Sequence, residues 1–131
     1  FADADLDAAL PILVNAGIQN AGQTCSAASR ILVERPVFDV VKARMAERYR
    51  ALRVGPALAD LDVGPLISAR QREVVAGYLD LVHTGGLEVA AQASLPKDLP
   101  AGGFYVPPTL VAGAGGTHRI AQEEIFGPVQ A

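Results

Sequence analysis

Residues 68–91 read SARQREVVAGYLDLVHTGGLEVAA, and this stretch predicts a helix, its stop and a strand in one short span. Ser68 with Gln71 three positions on has the form of a capping box, in which the serine takes an orphan backbone N–H of the first turn. Val74, Val75, Tyr78, Leu81 and Val82 recur at the three- and four-residue spacing of one buried helical face. Gly85-Gly86 ends the pattern, because glycine enters the left-handed conformation that closes a helix without the penalty of a Cβ. Leu87 to Ala91 is then short, apolar and bounded, which predicts a strand.

The same alternation extends outward. Upstream, Ile31-Leu32-Val33 reads as a buried strand and Pro36 suits the first turn of a helix. Phe38, Val41, Met45, Tyr49 and Leu52 then fall on one face, a core stripe and not a cofactor box. Nearer the start, Asp3, Asp5 and Asp7 suit the N-terminus of a helix that carries Leu6, Leu10, Leu13 and Gly17. Pro11 predicts a late start or a kink there, since it lacks the backbone donor and crowds the preceding turn. Downstream, Phe104 to Val111 is β-like but broken by Pro107-Pro108, which predicts a sheet edge or a bend. Thr117 is a candidate cap for a short helix ending at Gly127-Pro128. Helical stretches alternating with short apolar strands predict an α/β fold: a parallel-type sheet with flanking helices, in three layers.

At 131 residues the chain fits one domain, residues 1–131. Half the residues are hydrophobic and 19% are charged, which argues against intrinsic disorder. A net charge of -3 and a pI near 5.2 argue against nucleic-acid binding. No apolar run approaches the ~20 residues of a membrane span. A single cysteine excludes an internal disulfide, and Cys25, His83 and His118 lack metal-ligand spacing, so no metal site is expected. Without a visible signal peptide the chain reads as cytoplasmic. It opens on Phe1 in place of Met, which fits a piece of a longer protein.

Most chemistry-bearing residues have a plain reading. Gly113-Ala114-Gly115-Gly116 has His118 where a dinucleotide fingerprint needs glycine, so it reads as a turn. Glu123 and Glu124, about 100° apart if helical, cannot share one proton, and residue chemistry alone favours a solvated helix end. His83 and His118 read as surface histidines. Cys25 differs, because it sits in NAGQTCSAASR, residues 20–30, among small and polar neighbours. Such a setting leaves room and backbone N–H groups for a reactive thiolate. Chemistry alone leaves two readings open, a nucleophile and the commoner buried cysteine.

Asn20 to Arg30, centred on Gly22-Gln23-Thr24-Cys25, resembles the cysteine signature of the aldehyde dehydrogenase superfamily. Phe1 to Asp7, Val63-Gly64-Pro65-Leu66-Ile67-Ser68, Gly103 to Leu110 and Glu123-Glu124-Ile125-Phe126-Gly127-Pro128-Val129 resemble further blocks of that family, in family order. The resemblance implies a partial catalytic domain of an enzyme that oxidises a small-molecule aldehyde to a carboxylic acid with NAD or NADP. Cys25 would be the nucleophile, Glu124 would bind the nicotinamide ribose hydroxyls, and Phe126 would pack beside that ribose. Gln71 matches a further ribose contact, with helix capping as the competing role. Family members are homo-oligomers, so the same is expected of the parent enzyme. An aromatic is common in the family where Ile18 stands, which bears on substrate preference. The resemblance places the family's general-base glutamate, its side-chain oxyanion donor and its coenzyme domain outside this chain, so the isolated chain is not expected to turn over. The alternative is a non-catalytic remnant that acts in binding or assembly.

Overall fold

A computed structural model describes residues 1–131. Asp5 starts α1 (Leu6–Ile18), its carboxylate accepting from the N–H of Asp7 at 3.0 Å and of Ala8 at 3.2 Å. The helix runs unbroken through Pro11, where a late start or kink was expected. Pro11 and Asp7 are both exposed, so the Asp7 carbonyl deprived of its partner faces water. Leu10, Val14, Gly17 and Ile18 form the buried face.

Arg35–Val37 form a single 3₁₀ turn with Pro36 at its start, leading into α2 (Phe38–Ala51). Val41, Met45 and Tyr49 of the expected stripe are buried, while Phe38 and Leu52 are half-buried at its ends. α3 (Ala69–Thr84) begins at Ser68, whose Oγ accepts from the Gln71 N–H at 3.2 Å. Only Val75 and Val82 are buried there, and Val74 is exposed, so the apolar stripe is narrower than the spacing predicts. The helix closes on Gly86 at φ 68°, with Leu87 N–H donating to the Val82 carbonyl at 3.0 Å.

β1 (Glu88–Gln92), β2 (Thr109–Ala112) and β3 (Val129–Gln130) form a sheet in the order β1-β2-β3, joined in sequence by α4 (Arg119–Gln122) between β2 and β3. The α/β class holds, but the sheet is mixed and not of parallel type throughout. β1 and β2 are antiparallel, with Val89 opposite Val111 and a register shift before Ala91. β2 and β3 are parallel, with Thr109 opposite Val129. No crossover helix lies between β1 and β2, whereas α4 lies between the parallel β2 and β3. β2 is central and wholly buried, which removes the edge from the two alternatives expected there, an edge or a bend. Pro107 and Pro108 stand just before it, and Pro108 contributes only its carbonyl, which accepts from the Ala93 N–H at 2.9 Å. Ile31–Val33 form no ladder strand. The segment lies extended beside β3, Ile31 N–H donating to the Ala131 carbonyl at 2.8 Å and Ala131 N–H to that of Ser29 at 2.9 Å.

One core of 21 buried residues, including Leu10, Met45, Val54, Val75, Leu110, Ile120 and Val129, joins α1, α2, α3 and the sheet. Two of the polar side chains in its interior are bonded to each other. Tyr49 donates its hydroxyl to Gln130 Oε1 at 2.9 Å, and Gln130 Nε2 donates to the carbonyls of Leu13 and Ala28. Burial pushes the Tyr49 hydroxyl well above its ordinary pKa, which keeps it a neutral donor. Gly17 makes this possible, because a Cβ there would lie 2.6 Å from Gln130 Nε2. No helix is long and apolar enough to cross a membrane.

Candidate functional site

α1 gives way to a turn, Gln19–Gly22, in which Asn20, Ala21 and Gly22 take φ values of 51°, 54° and 72°. Asn20 and Gly22 tolerate this conformation, and Ala21 between them is spanned by cross-bonds. Asn20 Nδ2 donates to the Gln23 carbonyl, and Gln23 Nε2 to that of Asn20, both at 3.1 Å. Gln23 Oε1 accepts from the Ile67 N–H at 2.9 Å, which ties the turn to the start of α3. The exit is anchored by Ala28 N–H on the Ala16 carbonyl at 3.1 Å. Cys25 sits exposed between these anchors, and no acceptor in the chain takes its backbone N–H. That leaves the donor free for a developing oxyanion.

The facing wall is the turn after α4. His118, not Thr117, caps this helix, Nδ1 accepting from the Ile120 N–H at 3.3 Å, and the helix stops at Gln122, short of Gly127. Arg119 grips the Glu123 carboxylate with two N–H groups at 2.8 and 2.7 Å, and the Tyr78 hydroxyl donates to the same carboxylate at 2.8 Å. Glu124, beside it, is exposed and has no hydrogen-bond or ion-pair partner in the chain. The two walls meet backbone to backbone, because a Cβ on Gly22 would overlap the Gly127 carbonyl. Arg30 spans them by donating to the Ala121 carbonyl.

Between the walls lies a cavity of about 210 Å³ lined by Cys25, Thr24, Arg30, Glu124 and Phe126 among others. Cys25, Glu124 and Phe126, singled out separately in the sequence, thus border one space. Gln71 does not line it, and its side chain reaches the backbone of Ile125 and Phe126 instead. The reciprocal half of the expected capping box is therefore not made. Residue chemistry missed Arg30 and the Gly22–Gly127 contact, neither of which has a local signal. The Arg119–Glu123 pair did have one, its i,i+4 spacing on a helix.

Hydrogen bonds from Arg119 and then Tyr78 hold the Glu123 carboxyl down at about 2, and the same bonds raise the Arg119 and Tyr78 values. A carboxylate depressed in the folded state contributes stability that is complete above its unfolded value, 4.5, and is lost as pH falls toward 2. The urea midpoint should therefore fall over that window, and Glu123→Gln should flatten part of the fall. An unchanged slope in Glu123→Gln would assign the acid sensitivity elsewhere, with Asp62 the first candidate, since hydrogen bonds from Arg53 also lower its value.

Comparison with known proteins gives a consistent set. The chain matches the sequence model of the aldehyde dehydrogenase family over residues 1–131. It is 39% identical to 2-aminomuconic 6-semialdehyde dehydrogenase of a Pseudomonas species over 98% of this chain and 27% of that protein. A crystal structure from Burkholderia cenocepacia, provisionally assigned as an aldehyde dehydrogenase, superposes with a TM-score of 0.97 at 52% identity over 99% of this chain and 27% of that one. A Mycobacterium tuberculosis aldehyde dehydrogenase complexed with NAD+ superposes with a TM-score of 0.91 at 40% identity, over the same shares of the two chains. The chain spans about a quarter of the length of each of these proteins.

Proposed function

Because the chain belongs to the aldehyde dehydrogenase family, we propose that it is the cysteine-bearing part of the catalytic domain of an NAD(P)-dependent aldehyde dehydrogenase. The observation that carries this reading is the single cavity bordered by Cys25, Glu124 and Phe126. The Cys25 thiolate attacks the carbonyl carbon of an aldehyde, forming a C–S bond while the carbonyl electron pair moves to oxygen. The free N–H of Cys25 donates to that oxyanion. NAD(P), when bound, supplies the hydride acceptor that leaves the carbon as a thioester. Water then cleaves the thioester, releasing the carboxylic acid and returning the thiol.

The wall opposite Cys25 fits part of such a cofactor. Glu124 is an unpaired carboxylate, able to accept from two neighbouring hydroxyls of a ribose, and Phe126 offers an apolar face beside it. Its neighbour Glu123 is unavailable, being held by Arg119 and Tyr78. The parent enzyme would be a homo-oligomer acting on a small-molecule aldehyde.

A test needs only this chain. An activated aryl ester should acylate Cys25, the thiolate displacing the phenolate, with the added mass located by peptide mass spectrometry. The rate should exceed that of a free cysteine derivative at the same pH by about tenfold or more, and Cys25→Ala should carry no label. Acylation no faster than the free thiol would defeat the reading that this chain's own groups activate Cys25. The apolar groove of about 550 Å³ between α2 and the end of β2, bordered by Phe38, Met45 and Val111, would then favour a binding role.

A further inference from the structure

Gln71 spends its side-chain amide in one place. Nε2 carries two N–H groups, and it donates to the carbonyl of Ile125 at 3.0 Å and to that of Phe126 at 2.9 Å. Consecutive carbonyls alternate in direction along an extended chain, and point the same way only where the residue between the two peptide planes is helical, right- or left-handed. Phe126 is that residue, and its φ is 56°. A bulky side chain such as phenylalanine, unlike Asn or Asp, rarely takes this conformation without support.

The surroundings fix both ends of the arrangement. Ile125 is buried in the core, and Gly127 is packed so closely against Val75 that a Cβ would overlap it. On the other side, Ser68 Oγ accepts from the Gln71 N–H at 3.2 Å, so the Gln71 side chain leaves a first turn of α3 that is already set. We propose that Gln71 is a positioning residue: its two-pronged grip holds Phe126 left-handed and so sets the direction of the Phe126 ring and the adjoining Glu124 carboxylate at the cavity. This deepens the reading of the cavity as a ribose-binding wall and rests on it. It also changes the role that the family resemblance implies for Gln71, because both N–H groups are used on the backbone and only Oε1 is left to meet a hydroxyl.

A positive φ brings a residue's own HN and Hα close together, so it has a strong intraresidue cross-peak in NMR. Phe126 should give one in the 131-residue chain, as should Asp60, whose φ is 48° and which serves as an internal reference. Gln71→Met keeps length and helix propensity but carries no donor. The Phe126 cross-peak should fall about twofold or more relative to that of Asp60 in this variant, as φ moves toward the negative region. Gln71→Asn keeps the amide but is one methylene short, and it should behave in the same way. A Phe126 cross-peak as strong as in the parent, in either variant, overturns the proposal. No cofactor enters the measurement, so its outcome is separate from that of the ester test and from the ribose reading itself.

Discussion

Gly22→Ala should remove most of the stability of this chain. The residue sits at φ 72°, where a Cβ alone costs roughly 1–2 kcal/mol. The added methyl would also overlap the Gly127 carbonyl, which belongs to backbone and cannot rotate aside as a side chain would. Gly127 in turn abuts Val75, so the strain would pass into the core. The combined loss should exceed about 4 kcal/mol, against the ~5–15 kcal/mol that holds an ordinary domain folded. Urea unfolding followed by circular dichroism measures it. Gly64→Ala is the control, since nothing lies within 4 Å of a Cβ there and its φ is not in the left-handed region. Equal midpoints for the two variants would mean that the Gly22–Gly127 approach does not govern the fold.

Gln130→Leu should cost about 2–5 kcal/mol. Leucine matches the shape tolerably but leaves the fully buried Tyr49 hydroxyl without its partner, at roughly 1–3 kcal/mol, and deprives the half-buried Ala28 carbonyl of its donor as well. Tyr49→Phe removes one bond and leaves only Gln130 Oε1 unmet, so it should cost about 1–2 kcal/mol. The double variant discriminates further. If the network acts as a unit, Tyr49→Phe with Gln130→Leu should be less destabilised than the two single losses added together, because no hydroxyl is then stranded. Strict additivity would show that the two side chains contribute separately.

These two positions mark how far local reading reaches. The helical face of α2, the Ser68 start of α3 and its glycine stop were legible because helices report themselves at spacings of three and four residues. Pro11 misled, since its cost depends on whether the Asp7 carbonyl meets water, which spacing does not reveal. The prolines before β2 left an edge or a bend open, and the edge fails because the pairing of Pro108 uses only its carbonyl. Gln130 carried no signal at all. A glutamine in β3 looks like any surface polar residue until Tyr49, 81 positions away, is brought to it.

At the site the division is sharper. The run around Cys25 and the run around Glu124 and Phe126 were each recognisable as words of the aldehyde dehydrogenase family, and the family assignment stands on the whole chain. What the sequence determined by itself was therefore local: which segments coil, where they stop, and which short runs carry chemistry. Only the tertiary structure decided that β1 and β2 run antiparallel, that Glu123 is consumed by Arg119 and Tyr78 while Glu124 stays free, and that Gln71 grips Phe126 from 55 positions away. The reason is physical. Helix periodicity and capping depend on neighbours a few residues apart, whereas each of these outcomes depends on side chains and bare glycine backbones brought together by packing.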